Sequence, residues 1–415
     1  MKSLKGTGVF LAALLLLLIA SITSIASAEE AVDITKYCTF TSNSPTYLSR
    51  VSDGLRDRHF QTVSHQDNYL EMEAPVGRKI HTLYVIWQDL SSPVSMDVWD
   101  EQLQAFVFSK TVNDGGYLHD VIRLDDGTSK VRFRSTDVLG TIPLFEVQLF
   151  TEGTLPDTVQ IWQPPCTDAD ILVLVAHPDD EYIFFGGAIP WYAREKKLHV
   201  AVAYMTTQND TRAHELLDGL WTAGVREYPY LLRFEDQLQW YLTRMYKVWG
   251  GEEHVLKSVK NVIEATKPLV VLTQHTEGEY GHGAHQAVAD ICLRLIRDDE
   301  LSLTWRPQKL YLHMFEENKV YLDWSQVFTA DPEVNGKTAM EVAQDAFLCH
   351  QSQQRFYQTV QYGKYYGQRF RFEVVYGGMM DNADFGLAYS SLPQDEAKND
   401  FMEHVTPKDH TGPES

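Results

Sequence analysis

Five consecutive residues, His177-Pro178-Asp179-Asp180-Glu181, put an imidazole and three carboxylates into one short segment. A histidine and carboxylates at this spacing can supply half of a divalent-metal site. Burying such groups together is unfavourable unless something offsets their charge, and a metal ion would do so. The same acids also suit a helix start, where Asp180 and Glu181 would face the positive end of the dipole. About a hundred residues on, Glu277–Gln286 reads EGEYGHGAHQ and spaces His282 and His285 three apart. If a helix begins at His285, that spacing puts both rings on one side. His and Asp from the first segment with His from the second would make three protein ligands. Three ligands and a water are the arrangement of a catalytic rather than a structural zinc.

Both segments follow apolar runs that read as strands. Ile171–Ala176 (ILVLVA) is continuously apolar, as a central parallel strand requires, and Leu269–Thr273 (LVVLT) precedes the second segment. His199–Met205 and Tyr230–Phe234 read as further strands. Tyr182–Lys196, Ala213–Gly224 and Glu253–Lys267 read as the helices between them, with Pro190 expected to kink or end the first. This alternation predicts an α/β fold, a Rossmann-like doubly wound, mostly parallel sheet, with ligands at the carboxyl ends of its strands.

Before residue 165 the pattern differs. Ile80–Trp87, Val94–Trp99, Lys130–Phe133 and Leu144–Leu149 are short β-type runs, separated by turn signals such as Asp114-Gly115-Gly116 and Asp125-Asp126-Gly127. Such spacing predicts a β-sandwich or jelly-roll domain. Gln163-Pro164-Pro165 makes a stiff junction. Lys2, Lys5, the apolar run Val9–Ile19 and Ala26-Ser27-Ala28 form the pattern of a secretory signal peptide. The expected division is therefore a signal peptide over 1–28, a β-sandwich over 29–165, an α/β domain over 166–405 and a disordered tail over 406–415. That reading makes the mature chain secreted or cell-surface, with no stable membrane span once the signal is removed.

The formal charge is -21, or -23 without Lys2 and Lys5, so nucleic acid is an unfavourable partner. Cys38, Cys166, Cys292 and Cys349 allow three disulfide pairings. A Cys38–Cys166 bond would staple the first domain and leave Cys292 with Cys349; four buried thiols are the other reading. Gly186-Gly187 does not make the G-x-G-x-x-G of a dinucleotide site.

The strand followed by AHPDDE, with a later G-H-x-x-H, resembles the PIG-L (LmbE-like) family of zinc-dependent N-acetylglucosamine deacetylases, over roughly residues 168–360. The resemblance implies an LmbE-like fold and a metal-dependent amide hydrolase that removes the acetyl group of an acetylated sugar or glycan. It implies His177, Asp180 and His285 as ligands of Zn2+, or of another divalent transition metal. It implies Asp179 as general base, His282 as the group that steadies the oxyanion or protonates the leaving amine, and Tyr280 as a group that polarises the carbonyl. Arg212 matches a residue that contacts sugar or orders the site; a surface pair of Arg212 with Glu215 is the plainer reading. Asp236 stands in the place of a substrate-binding aspartate, and His350-Gln351-Ser352-Gln353 matches a late stretch that reads as structural. Ala284 departs from the pattern, because many members carry an acid there, and a partner for a ligand histidine must then come from elsewhere. Beside such an enzyme, the β-sandwich reads as carbohydrate-binding, with Trp87, Trp99 and Trp162 either stacking on sugar or filling the core. A non-catalytic extracellular carbohydrate-binding protein with a retained metal site is the competing function.

Overall fold

The computed structural model describes residues 29–55, 58–64, 67–137, 140–207, 210–354 and 381–410. The expected signal peptide lies outside the described residues, as does the end of the tail at 411–415.

The first part of the chain is built on β1 (Thr39–Ser42), β2 (Phe60–Gln61), β3 (Tyr69–Glu73), β4 (Ile80–Trp87), β5 (Val94–Asp100), β6 (Ala105–Val112), β7 (His119–Thr128), β8 (Lys130–Ser135) and β9 (Pro143–Phe150). They form two antiparallel sheets, ordered β1-β3-β8-β5-β6 and β2-β9-β4-β7. Alternate residues point inward, as the two-residue period of a strand requires. Leu70 and Met72 of β3 meet Leu83 and Val85 of β4 and Val147 and Leu149 of β9 in one core. The expected sandwich is therefore present. Trp87 and Trp162 are buried, and Trp99 is half-buried against Phe106 and Lys130, so the first two fill the interior rather than face sugar.

The second part carries β10 (Ile171–Val175), β11 (Val200–Thr206), β12 (Tyr230–Phe234), β13 (Val270–Thr273), β14 (Lys309–His313), β15 (Lys319–Tyr321) and β16 (Asp384–Ser390). The sheet order is β12-β11-β10-β13-β14-β16-β15. The first five are parallel, and β16 and β15 add an antiparallel edge. Ile171, Val173 and Val175 of β10 join one core cluster while Leu172 and Leu174 join another, so the strand is covered on both faces. On the first face pack α2 (Asp210–Ala223) and α6 (Ala339–Leu348). On the second pack α3 (Leu242–Val248), α4 (Glu252–Thr266) and α5 (Gly283–Cys292).

Two expectations are corrected, and the open choice at the cysteines is decided. The helix expected over Tyr182–Lys196 breaks before Pro190: α1 (Asp180–Ile183) ends, Gly186 takes φ +51°, and helical structure resumes at Ala188. A Cβ on Gly186 would lie 2.6 Å from the Trp324 ring, and one on Gly187 would lie 2.8 Å from Ala339, so close packing places the break. No disulfide forms among the described residues; all four cysteines are free thiols. Cys38 packs on the sandwich core and Cys166 belongs to the α/β core, while Cys292 lies on the α5 face and Cys349 at the end of α6 on the other. The disordered tail does not begin at residue 406: the Lys408 backbone N–H donates to Asp170 (2.8 Å), and the His410 ring stacks on His199 at 3.6 Å.

Candidate active site

From β10 the chain winds outward through β11 to β12, then returns across β10 to place β13 and β14 on its other side. The strand order therefore reverses between β10 and β13, and in such a sheet the ligand crevice lies at the carboxyl ends of those strands. Both chemical segments lie there, the first directly after β10 and the second after β13.

Three atoms converge in the crevice. His177 Nδ1 is 3.1 Å from Asp180 Oδ2 and 3.2 Å from His285 Nε2. Asp180 Oδ2 and His285 Nε2 are 3.4 Å apart. Ligand atoms at about 2.0–2.1 Å from a tetrahedral centre lie roughly 3.3–3.4 Å from one another. The triangle therefore has the dimensions of three such ligands, and its donors suit a transition-metal dication.

Two of the three corners, Asp180 and His285, are held by further hydrogen bonds. Gln274, at the end of β13, accepts the Ala176 N–H (2.9 Å) and donates to Asp180 Oδ2 (3.0 Å), tying the two strand ends together. His285 Nδ1 faces Glu279 at 2.5 Å, which assigns its proton to Nδ1 and leaves the Nε2 lone pair for the crevice. Glu279 is thus the partner that Ala284 cannot provide. Its other oxygen is 3.1 Å from Nδ1 of His313 on β14. Burial alone would raise the Glu279 carboxyl, but His285 and His313 outweigh it and hold it below the usual range.

His282 differs from the other two histidines, although ring nitrogens of all three lie within 4.8 Å of one another. It is the N-cap of α5, and its Nδ1 accepts the Ala284 N–H at 3.2 Å. A neutral ring in that position carries its proton on Nε2 and is a donor there, not a ligand. Burial first, then the neighbouring His285 and His177, push its pKa down to about 2, so the ring is neutral in the metal-free protein.

Asp179 adopts φ +104°, a left-handed backbone that a non-glycine residue takes only when held. Its N–H donates to Glu181 Oε2 at 2.8 Å. Glu181 in turn accepts from Tyr204 Oη (2.7 Å) and lies 3.4 Å from His350 Nε2. Arg212 donates to the Pro178 carbonyl, with a guanidinium nitrogen 3.4 Å from Asp179 Oδ2. Burial raises the Asp179 carboxyl well above the usual range, against the pull of Arg212. Asp236 lies 3.7 Å from His177 Nε2 and 3.6 Å from Arg212, on the rim. The Tyr280 ring stands edge-on to His282 and His285, at 5.5 and 5.3 Å.

All eight residues singled out from the sequence thus meet in one crevice. Arg212 is buried rather than paired on the surface; Glu215 instead accepts from the backbone and hydroxyl of Ser352, each at 2.6 Å. Glu279, Gln274, His313 and the Glu181–His350 contact escaped the sequence reading. For Glu279 there was one signal, the missing acid at Ala284.

Residues 172–296, under a third of the chain, match the family model of PIG-L, GlcNAc-PI de-N-acetylase, which points to a deacetylase-type, carbohydrate-processing domain over those residues. Among solved structures, a conserved protein of Thermus thermophilus is 17% identical, with a TM-score of 0.37, over 55% of this chain and 100% of that one. A fucose-binding module of Streptococcus pneumoniae is 17% identical, with a TM-score of 0.26, over 29% of this chain and 96% of that one. No helix among the described residues is long and apolar enough to cross a membrane.

Proposed function

We propose that this protein, whose residues 172–296 match the PIG-L family model, is a zinc-dependent hydrolase that removes the acetyl group from an N-acetylated sugar of the N-acetylglucosamine type. The observation that carries the reading is the triangle of His177 Nδ1, Asp180 Oδ2 and His285 Nε2, with Asp179 and His282 beside it. In this reading those three atoms hold the metal, and the same residues define the centre of a catalytic domain over 166–405. A zinc ion held there would lower the pKa of a water toward about 7 and polarise the amide carbonyl.

The remaining work falls to side chains. The Asp179 carboxylate, turned into the crevice by Glu181 and Arg212, takes a proton from the attacking water. Its raised pKa favours that role, because a carboxylate in water is too weak a base to hold a proton near neutral pH. His282 keeps its lone pair occupied at Nδ1, and its Nε2–H faces the developing negative oxygen. Tyr280 lines the same side. The leaving amine takes its proton from Asp179, which thereby returns to the carboxylate. Arg212 is a positioning residue, and Asp236 on the rim accepts from sugar hydroxyls. The reading places the mature protein outside the cytoplasm, with residues 1–28 removed; N-terminal sequencing of exported protein should find Glu29 first.

The test is an acetate-release assay on metal-analysed protein with N-acetylglucosamine and its oligomers. Acetate release dependent on zinc supports the reading. Stoichiometric zinc with no acetate released from any substrate favours the non-catalytic sugar-binding alternative.

A further inference from the structure

Beyond Asp236 the chain reads Gln237-Leu238-Gln239-Trp240-Tyr241 before α3 begins at Leu242. Leu238, Trp240 and Tyr241 are 57%, 53% and 62% exposed. All nine tryptophans are among the described residues, and Trp240 alone is exposed; the other eight are buried or half-buried. Single exposed apolar residues are ordinary, but three in four positions form a patch that needs a reason.

The patch is attached to the crevice. The Gly283 N–H donates to the Gln239 carbonyl at 2.6 Å, one residue from His282. A Cβ on Gly281, between Tyr280 and His282, would lie 3.9 Å from the Trp240 ring. At its other end Glu235 accepts the indole N–H of buried Trp249 at 3.0 Å. The loop is therefore pinned at both ends and presents its aromatic surface at the rim. Between the apolar side chains, Gln239 donates to Gln237 Oε1 at 2.9 Å, so the loop also carries two side-chain amides.

We infer that Trp240, flanked by Leu238 and Tyr241, is a stacking platform for a second pyranose ring joined to the acetylated one. The substrate class is then an N-acetylated oligo- or polysaccharide rather than a free monosaccharide. A pyranose has an apolar C–H face that matches an indole and equatorial hydroxyls that match amides. A membrane surface would require basic residues around the patch. Glu235 and Asp236 lead directly into it, against a single arginine, Arg244, whose guanidinium lies 5.4 Å over the Tyr241 ring, on a chain of formal charge -21. The inference rests on the deacetylase reading for the identity of the first ring.

The test uses the full chain and two probes, N-acetylglucosamine and its β-1,4-linked tetramer. Isothermal titration calorimetry gives Kd and acetate release gives KM for wild type, Trp240→Ala and Trp240→Phe. Trp240→Ala should weaken the tetramer about tenfold in both constants, the loss expected for one stacking contact. It should leave the monosaccharide within about twofold, and Trp240→Phe should recover most of the loss. Equal loss for both probes, or none for the tetramer, overturns the inference. So does a tryptophan emission shift with phosphatidylserine vesicles that the tetramer does not cause. If wild type releases acetate from neither probe, the deacetylase reading fails, and the calorimetric titration still decides the platform.

Discussion

The two segments that build the crevice reach the same rigidity by opposite means. His177–Glu181 contains no glycine and forces Asp179 into a left-handed backbone at φ +104°. It holds that strain with side chains, through Glu181, Tyr204 and Arg212. Glu277–Gln286 instead spends glycines on its turns, with Gly278 at φ +68° and Gly281 at φ +84°. A Cβ on Gly278 would sit 2.6 Å from the His282 carbonyl oxygen, so no other residue fits without movement. The difference follows from what each segment must carry. In the proposed reading the first needs the Asp179 side chain at its sharpest turn, so the strain is accepted there. The second sets His282 at the cap of a helix and His285 in its first turn, just past the bend, so the bend itself can be bare.

Three substitutions sharpen that contrast. The largest effect is expected from Glu279→Gln, which removes the charge that orients His285. Zinc affinity should fall about 10–100-fold, the usual cost of losing the partner of a ligating histidine. Competition with a chelator measures it, and unchanged affinity would mean that the helix alone aims the ring. Next is Glu181→Gln. Zinc content should stay stoichiometric while kcat falls about tenfold with KM little changed, because only the aim of Asp179 is relaxed. A matching loss of zinc would show that Glu181 supports the fold of the whole segment. The smallest effect is Gly278→Ala, expected to cost about 1–2 kcal/mol through backbone strain. That is a drop of a few degrees in Tm, by calorimetry of the metal-free protein.

The contrast also explains what the sequence could show. Apolar runs ending in His177-Pro178-Asp179-Asp180 and preceding His282 and His285 made the two half-sites readable, because a parallel strand must be apolar and ligands gather at its carboxyl end. Glu279 was hidden, since Glu277 and Glu279 look alike in sequence and only the turns at Gly278 and Gly281 send one inward and leave the other exposed. His313 and Gln274 were hidden for a related reason: each stands at the end of a strand, and its partner is chosen by sheet order. The break at Gly186-Gly187 was masked by the apolar residues around it, which suit a buried helix equally well. In the sandwich, β6 escaped because most of its residues face solvent and show no alternation.

The most direct measurement is zinc content and acetate release determined together for Asp179→Ala and His285→Ala in the full chain. Asp179→Ala should keep one zinc and lose about 10²–10⁴-fold in kcat, as removal of a general base does. His285→Ala should lose the zinc and, with it, the activity. Normal turnover by Asp179→Ala, or full zinc content in His285→Ala, would contradict the division of labour between proton transfer and metal binding on which this account depends.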